Sequence, residues 1–167
     1  MGSSLRDQQF AEFYAAEASG LARLALFLTG DREKAADLAQ EALLRTYRHW
    51  NRITYEHRAY ARKILINFHR NTLRRLAVEA RHRHRFLVED EPSRTGRVDD
   101  AIEVARVLRT LPPARRAVIV LRFYEDMSEA EIAHILDRPI STVKSDIHRA
   151  LKKLRTLLAD EPIKEPT

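Results

Sequence analysis

Between Arg138 and Leu154 the chain reads RPISTVKSDIHRALKKL. Val143, Ile147, Ala150, Leu151, Leu154 and, further on, Leu158 recur every three or four positions, forming one apolar stripe of a helix. The other positions carry Thr142, Lys144, Ser145, His148, Arg149, Lys152 and Lys153, with Asp146 as the one acid. The same period runs through most of the chain. Gln8 to Thr29 turns Phe10, Phe13, Tyr14, Leu21, Leu24, Ala25 and Leu28 to one side. Thr29-Gly30-Asp31 stops that helix and caps the next, since Gly ends helices and Asp accepts the free N–H groups of a first turn. Arg32 to Trp50 follows, with Ala35, Leu38, Ala39, Ala42, Leu43 and Tyr47 inward. Asn51 to His57 is a short connection. Arg58 to at least Arg75 is a third helix, its apolar face Ala61, Ile64, Leu65, Phe68, Thr72 and Leu76.

Val88 to Asp100 breaks the pattern with Pro, Gly, Ser and many charges, and reads as a flexible linker. It separates residues 1–87 from residues 101–167, each the size of a small helical domain with a modest core. In the second block, Ala101 to Thr110 is helical. Leu111-Pro112-Pro113 breaks and restarts the helix, because Pro is tolerated in a first turn. Ala114 to Tyr124 carries Ala117, Val118, Val120, Leu121 and Tyr124. Ser128 and Glu131 form a capping box for Glu129 to Leu136. Asp137 to Ile140 is a turn, and Ser141 caps the last helix. The fold class is all-α, in two small helical domains.

Composition narrows this further. The 167 residues carry a formal charge of +6, four Gly and no Cys, so disulfides and thiolate metal sites are excluded. No run approaches the roughly 18 apolar residues of a membrane span. Leu21 to Leu28 is too short and too acid-flanked for a signal peptide. A cytoplasmic protein without membrane insertion is expected. Bases crowd the span from Arg45 to Arg85, whose only acids are Glu56 and Glu79, whereas Asp31 to Glu41 is acid-rich. Segregated signs point to two faces with different partners, one of them a polyanion.

Three stretches carry candidate chemistry. SEAEIAHILDRPISTVKSDIHRALKKL has the rhythm of a helix-turn-helix, whose second helix enters the major groove. Ile132, Ala133, Leu136, Val143 and Ile147 would pack its angle, leaving Thr142, Lys144, Ser145, His148 and Arg149 facing outward. Each good base contact is worth about 1–3 kcal/mol of discrimination. Lys152 and Lys153 suit phosphates, which position without specifying. Asp146 has three readings: it meets a cytosine amino group, it pairs with Arg149 or Lys153, or it weakens binding. In RAYARKILINFHRNTLRR, Arg62, Lys63, Asn67, Arg70, Asn71, Arg74 and Arg75 surround the apolar face, with Trp50, Tyr55, His57 and Tyr60 at the entrance. Cations beside rings suit single-stranded nucleic acid; Trp50 and Tyr60 are equally open to a core reading. In the second helix, Asp37, Gln40, Glu41 and Leu44 share one side, open to a solvated face or a basic protein partner. His82 and His84 make a poor metal pair amid positive charge. No metal site, cofactor or catalytic constellation is expected.

Together these residues resemble the extracytoplasmic-function (ECF) group of the bacterial sigma-70 family. LTGDREKAADLAQEALLRTYRHW and RAYARKILINFHRNTLRR look like the two halves of the family's region 2. LPPARRAVIVLRFYEDMSEAEIAHILDRPISTVKSDIHRALKKLR looks like its region 4. The resemblance implies an RNA polymerase sigma factor, not an enzyme. It assigns Asp37, Gln40, Glu41, Leu44 and Arg45 to the β′ clamp helices of core polymerase, and region 4 to the β flap. It assigns Trp50, Tyr55, Arg58, Arg62, Lys63, Asn67, Arg70, Asn71 and Arg74 to the −10 element of promoter DNA. Ser141, Thr142, Lys144, Ser145, His148, Arg149 and Lys152 fall to the −35 element, and an anti-sigma factor is implied as a partner. The chain departs from the family at Asp137, where Gly is usual, at Asp146, where a base is common, and at His69 and Arg70. The alternative reading is a free-standing helix-turn-helix regulator.

Overall fold

The computed structural model describes residues 2–82 and 100–160, with side chains for 5–82 and 100–159. Residues 88–99 of the expected linker and His84 lie outside them. Every described element is helical: α1 (Gly2–Thr29), α2 (Arg32–His49), a 3-10 turn (Trp50–Arg52), α3 (His57–His82), α4 (Asp100–Arg109), α5 (Pro113–Phe123), α6 (Glu129–Leu136) and α7 (Ile140–Asp160). The chain forms two compact units, one through Arg106 and one from Val107.

In the first unit α1 packs on α2 and α3, and α2 packs on α3. Leu21, Leu24, Ala25 and Leu28 of α1 are wholly buried, against Ala35, Ala39, Ala42 and Leu43 of α2 and Ala61, Leu65 and Ile66 of α3. Each such large aliphatic side chain contributes about 1.5–3 kcal/mol. The small residues on α2 let the helices approach closely. The expected junction is present: Gly30 has φ 67°, its N–H donates to Leu26 O, and Asp31 Oδ1 accepts from Lys34 N at 2.9 Å. Only the left-handed backbone that Gly adopts freely turns the chain this sharply.

Helix α1 begins earlier than its apolar period. Arg6 Nη2 donates to the Tyr47 hydroxyl at 2.8 Å, which donates to Asp7 Oδ1 at 2.6 Å, and the Arg6 guanidinium lies 4.5 Å above the Tyr47 ring. The hydrogen bond to Asp7 is the chief cause of a raised Tyr47 pKa. This polar staple holds a turn that has no apolar stripe. Three expected inward positions face out: Tyr14 is 52% exposed, Leu76 46% and Tyr124 38%. Ile66 and His69 are buried instead, because α3 is flanked by two helices and buries a wider arc than one stripe.

In the second unit α7 packs on α5 and α6. Six consecutive residues of α5, Arg116 to Leu121, are buried. Such a run is the mark of a central helix covered on all sides. Arg116 is the surprise. Its Nε donates to Leu108 O at 3.1 Å and its Nη2 to Leu111 O at 3.2 Å, satisfying carbonyls that the end of α4 leaves open. Burial, then the Arg109 charge, lowers its pKa. The capping box is as expected: Ser128 Oγ accepts from Glu131 N at 3.2 Å, and Ser128 N donates to Glu131 Oε2 at 2.7 Å. These bonds lower the Glu131 pKa.

Ser141 does not cap α7. The helix begins at Ile140, and Thr142 N and Val143 N both donate to Pro139 O. Ser141 therefore sits inside the first turn with its side chain exposed. Pro139, fixed in φ, starts the helix two residues sooner than a cap at Ser141 would.

Candidate functional site

The second helix of the helix-turn-helix follows from its own sequence. Val143 and Ala150 are wholly buried, Ile147, Leu151 and Leu154 half-buried, while Ser141, Lys144, His148, Arg149 and Lys152 are exposed. Thr142 and Ser145 are half-buried at the edge of that polar face. Asp137 ends α6 with φ 51° and ψ 55°, so an acid holds the left-handed position where the sharp turn needs it. Lys144 Nζ lies 3.7 Å from Glu129 Oε2 of α6.

Two expectations for α7 are overturned. Leu158 is 64% exposed, because the last turn of α7 runs past its neighbours. Asp146 neither faces outward towards a base nor pairs with Arg149 or Lys153. It is only 7% exposed and lies 2.7 Å from Arg138 Nη2 and 3.4 Å from Arg115 Nε. Nothing in local spacing announces these partners, since Arg115 is 31 positions away. Lys153, exposed at the surface, donates to Thr110 O and so bridges to the turn before α5.

The first unit presents a basic face on α3. Lys63, Asn71 and Arg74 are exposed, and Asn67 and Arg70 half-buried. Tyr55 is 47% exposed beside that helix, with its ring 6.0 Å from Tyr60. Two residues expected on this face turn inward. Trp50 is 8% exposed: it stacks on His57 at 3.8 Å and meets Phe10 and Phe13 edge-on at 5.5 and 5.4 Å. Its Nε1 donates to Gln9 Oε1 at 3.3 Å. The core reading of Trp50 is the one the structure bears out. Arg62, with 16% of its side chain exposed, lies 2.9 Å from Glu17 Oε2, and Arg58 lies 3.4 Å from the same oxygen. Glu17, on α1, thus organises two of the expected DNA-facing cations, a role no spacing within α3 reveals.

The acidic side of α2 holds its residues together. Asp37, Gln40, Leu44 and Arg45 are exposed and Glu41 is half-buried. Glu41 Oε1 accepts from Arg45 Nε at 2.9 Å, and the Arg45 guanidinium lies 4.4 Å above the Phe68 ring of α3. Asp37 and Gln40 stand clear beside Leu44. That combination of open carboxylate, amide and aliphatic groups suits a basic protein surface with an apolar edge. Among the described residues, no group of three His or acidic side chains is placed to hold a metal, and no helix is long and apolar enough to cross a membrane.

Two small helical units, one with a helix-turn-helix whose outer face is basic and one with a basic helix behind an acidic one, define a transcription factor class. Comparison with known proteins gives the family. Sigma-70 region 2 matches residues 13–78, and Sigma-70 region 4 matches residues 101–154. The RNA polymerase sigma-E factor of Streptomyces avermitilis is 35% identical over 156 residues, spanning 88% of this chain and 83% of that one. The ECF RNA polymerase sigma factor SigL of Mycobacterium tuberculosis is 32% identical over 154 residues, spanning 88% and 87%. In fold, the chain resembles the sigma factor RpoE crystallised with the anti-sigma factor NepR from Bartonella quintana, with TM-score 0.65 and 23% identity over 93% of this chain and 99% of that one. The chain belongs to the ECF RNA polymerase sigma factors of the sigma-70 family. The free-standing regulator is not favoured, because a region 2 match precedes the helix-turn-helix.

Proposed function

We propose that this sigma factor recruits core RNA polymerase through α2 and places both of its units on one promoter. Residues 1–87 act as region 2, 88–100 as the connection and 101–167 as region 4. Asp37, Gln40, Glu41, Leu44 and Arg45 dock on the β′ clamp helices, with region 4 on the β flap. Tyr55, Lys63, Asn67, Arg70, Asn71 and Arg74 hold the opened −10 strand, bases on rings and backbone on cations. Arg58, with 56% of its side chain exposed, joins them at the edge, and Trp50 and Arg62 support that surface from beneath. Ser141, Thr142, Lys144, Ser145, His148 and Arg149 read the −35 element, and Lys152 holds phosphate.

The observation that carries this reading is one chain with both signs laid out separately: an open acidic edge on α2 and basic outer faces on α3 and α7. Phosphate contacts supply salt-sensitive attraction, on the order of 10⁻⁴–10⁻⁶ M at physiological salt when nonspecific. The base-reading surfaces add selectivity. The factor directs polymerase and performs no chemistry itself, and it works in the cytoplasm where polymerase is. An anti-sigma protein covering the polymerase-binding faces is the natural regulator, in keeping with the complex in which the structural relative was solved.

The test adds the protein to sigma-free core polymerase and maps transcript starts across genomic DNA. New starts sharing upstream elements at −10 and −35 are expected. Unchanged starts with active, folded protein overturn the reading.

A further inference from the structure

Asp146 is a buried acid on the helix that enters DNA, and the −35 reading gives it no work. Its two oxygens have different partners. Oδ2 lies 2.7 Å from Arg138 Nη2 in the turn, and Oδ1 lies 3.4 Å from Arg115 Nε in the first turn of α5. Both guanidinia stay partly open, with 27% and 32% of their side chains exposed. In a helix-turn-helix, cations at the turn and at the edge of the motif fall along the DNA backbone.

Arg138 is held there at a cost. Its Nη1 is buried with no hydrogen-bond partner among the described residues, and a buried unsatisfied donor costs about 1–3 kcal/mol. A guanidinium free to choose would put that nitrogen in water. The Asp146 carboxylate, a charged acceptor at close range, outweighs this penalty. Take the negative charge away and Arg138 has no reason to remain.

We propose that Asp146 limits the sequence-independent DNA affinity of the −35 reader by withholding Arg138 and Arg115 from the phosphate backbone. The inference rests on the assignment of α7 to the −35 element. Phosphate contacts supply the salt-sensitive attraction that every sequence shares. Two sequestered cations lower that shared part and leave the base reading by Ser141, Thr142, Lys144, Ser145, His148 and Arg149 as it is. Asp146 is a positioning residue: it touches arginines, not DNA.

The test uses the full-length chain. Binding to nonspecific duplex DNA is followed against salt for the wild type, Asp146→Asn, Arg138→Gln and the double variant. Each freed cation that reaches a phosphate steepens the log–log salt slope by about 0.9. Asp146→Asn is expected to steepen it by one to two such steps, and adding Arg138→Gln to remove one of them. Arg138→Gln alone is expected to leave the slope at the wild-type value, because its charge is already occupied. A shallower slope in this arm overturns the proposal even if Asp146→Asn does not fold. In holoenzyme, selection from a library randomised at −35 should return the same preference for the wild type and Asp146→Asn, because phosphate contacts act alike on every sequence.

A purely structural ion pair would lower the melting temperature but leave the salt slope of Asp146→Asn unchanged; that result overturns the proposal. So does a shallower slope for Arg138→Gln alone. A wild-type holoenzyme with no −35 preference would sink the functional reading instead, and the slopes on nonspecific DNA would still judge the clamp.

Discussion

Asp137 shows what one residue can carry. Its φ of 51° puts an L-residue in left-handed backbone, which costs about 1–2 kcal/mol for most side chains and less for Asp. The turn needs that conformation, because Asp137 N reaches His134 O and Arg138 N reaches Ala133 O. Asp137→Ala should therefore lower stability by about 1 kcal/mol, because Ala lacks the tolerance of left-handed backbone that Asp has. Denaturant unfolding of the full chain measures it, and unchanged stability would show that the turn does not depend on this residue's backbone preference. The strain was legible from the family departure alone. The partners of Asp146 were not, because Arg115 and Arg138 come to it from another helix and from the turn.

At the scale of elements, the helices follow from apolar periodicity, and their ends from residues whose chemistry is local. Gly30, Asp31, Ser128 and Glu131 act where the sequence places them. The exceptions share a cause. The first turns of α1 are held by Tyr47, the face of α3 widens because α1 and α2 both cover it, and α7 starts on Pro139. In each, a neighbour outside the helix sets the outcome. Glu17 is the clearest instance, joining α1 to Arg58 and Arg62 of α3. With 17% of its side chain exposed, the pair sits between the surface and buried limits. Glu17→Gln should cost about 1–2 kcal/mol of stability, read by thermal or denaturant unfolding. An unchanged midpoint would mean that the arginines find equal partners in water.

The whole molecule works by keeping its charges apart. A net charge of +6 is modest, yet the acids of α2 and the bases of α3 and α7 are each collected on their own faces. Reversing Asp37 and Glu41 to Lys should abolish binding to core polymerase, as seen by co-elution, while shifting stability by less than about 1 kcal/mol, since Asp37 is exposed and the Glu41–Arg45 pair is open to solvent. Retained binding would remove α2 from the interface. The sequence by itself determined the all-α class, the places where most helices stop and start, the helix-turn-helix and the family, because period, capping and motif are properties of neighbours along the chain. Tertiary structure alone decided which charged and aromatic groups stand free to act. Trp50, Arg62 and Asp146 look like surface chemistry in a one-dimensional string, but burial and ion pairing depend on what arrives from dozens of residues away.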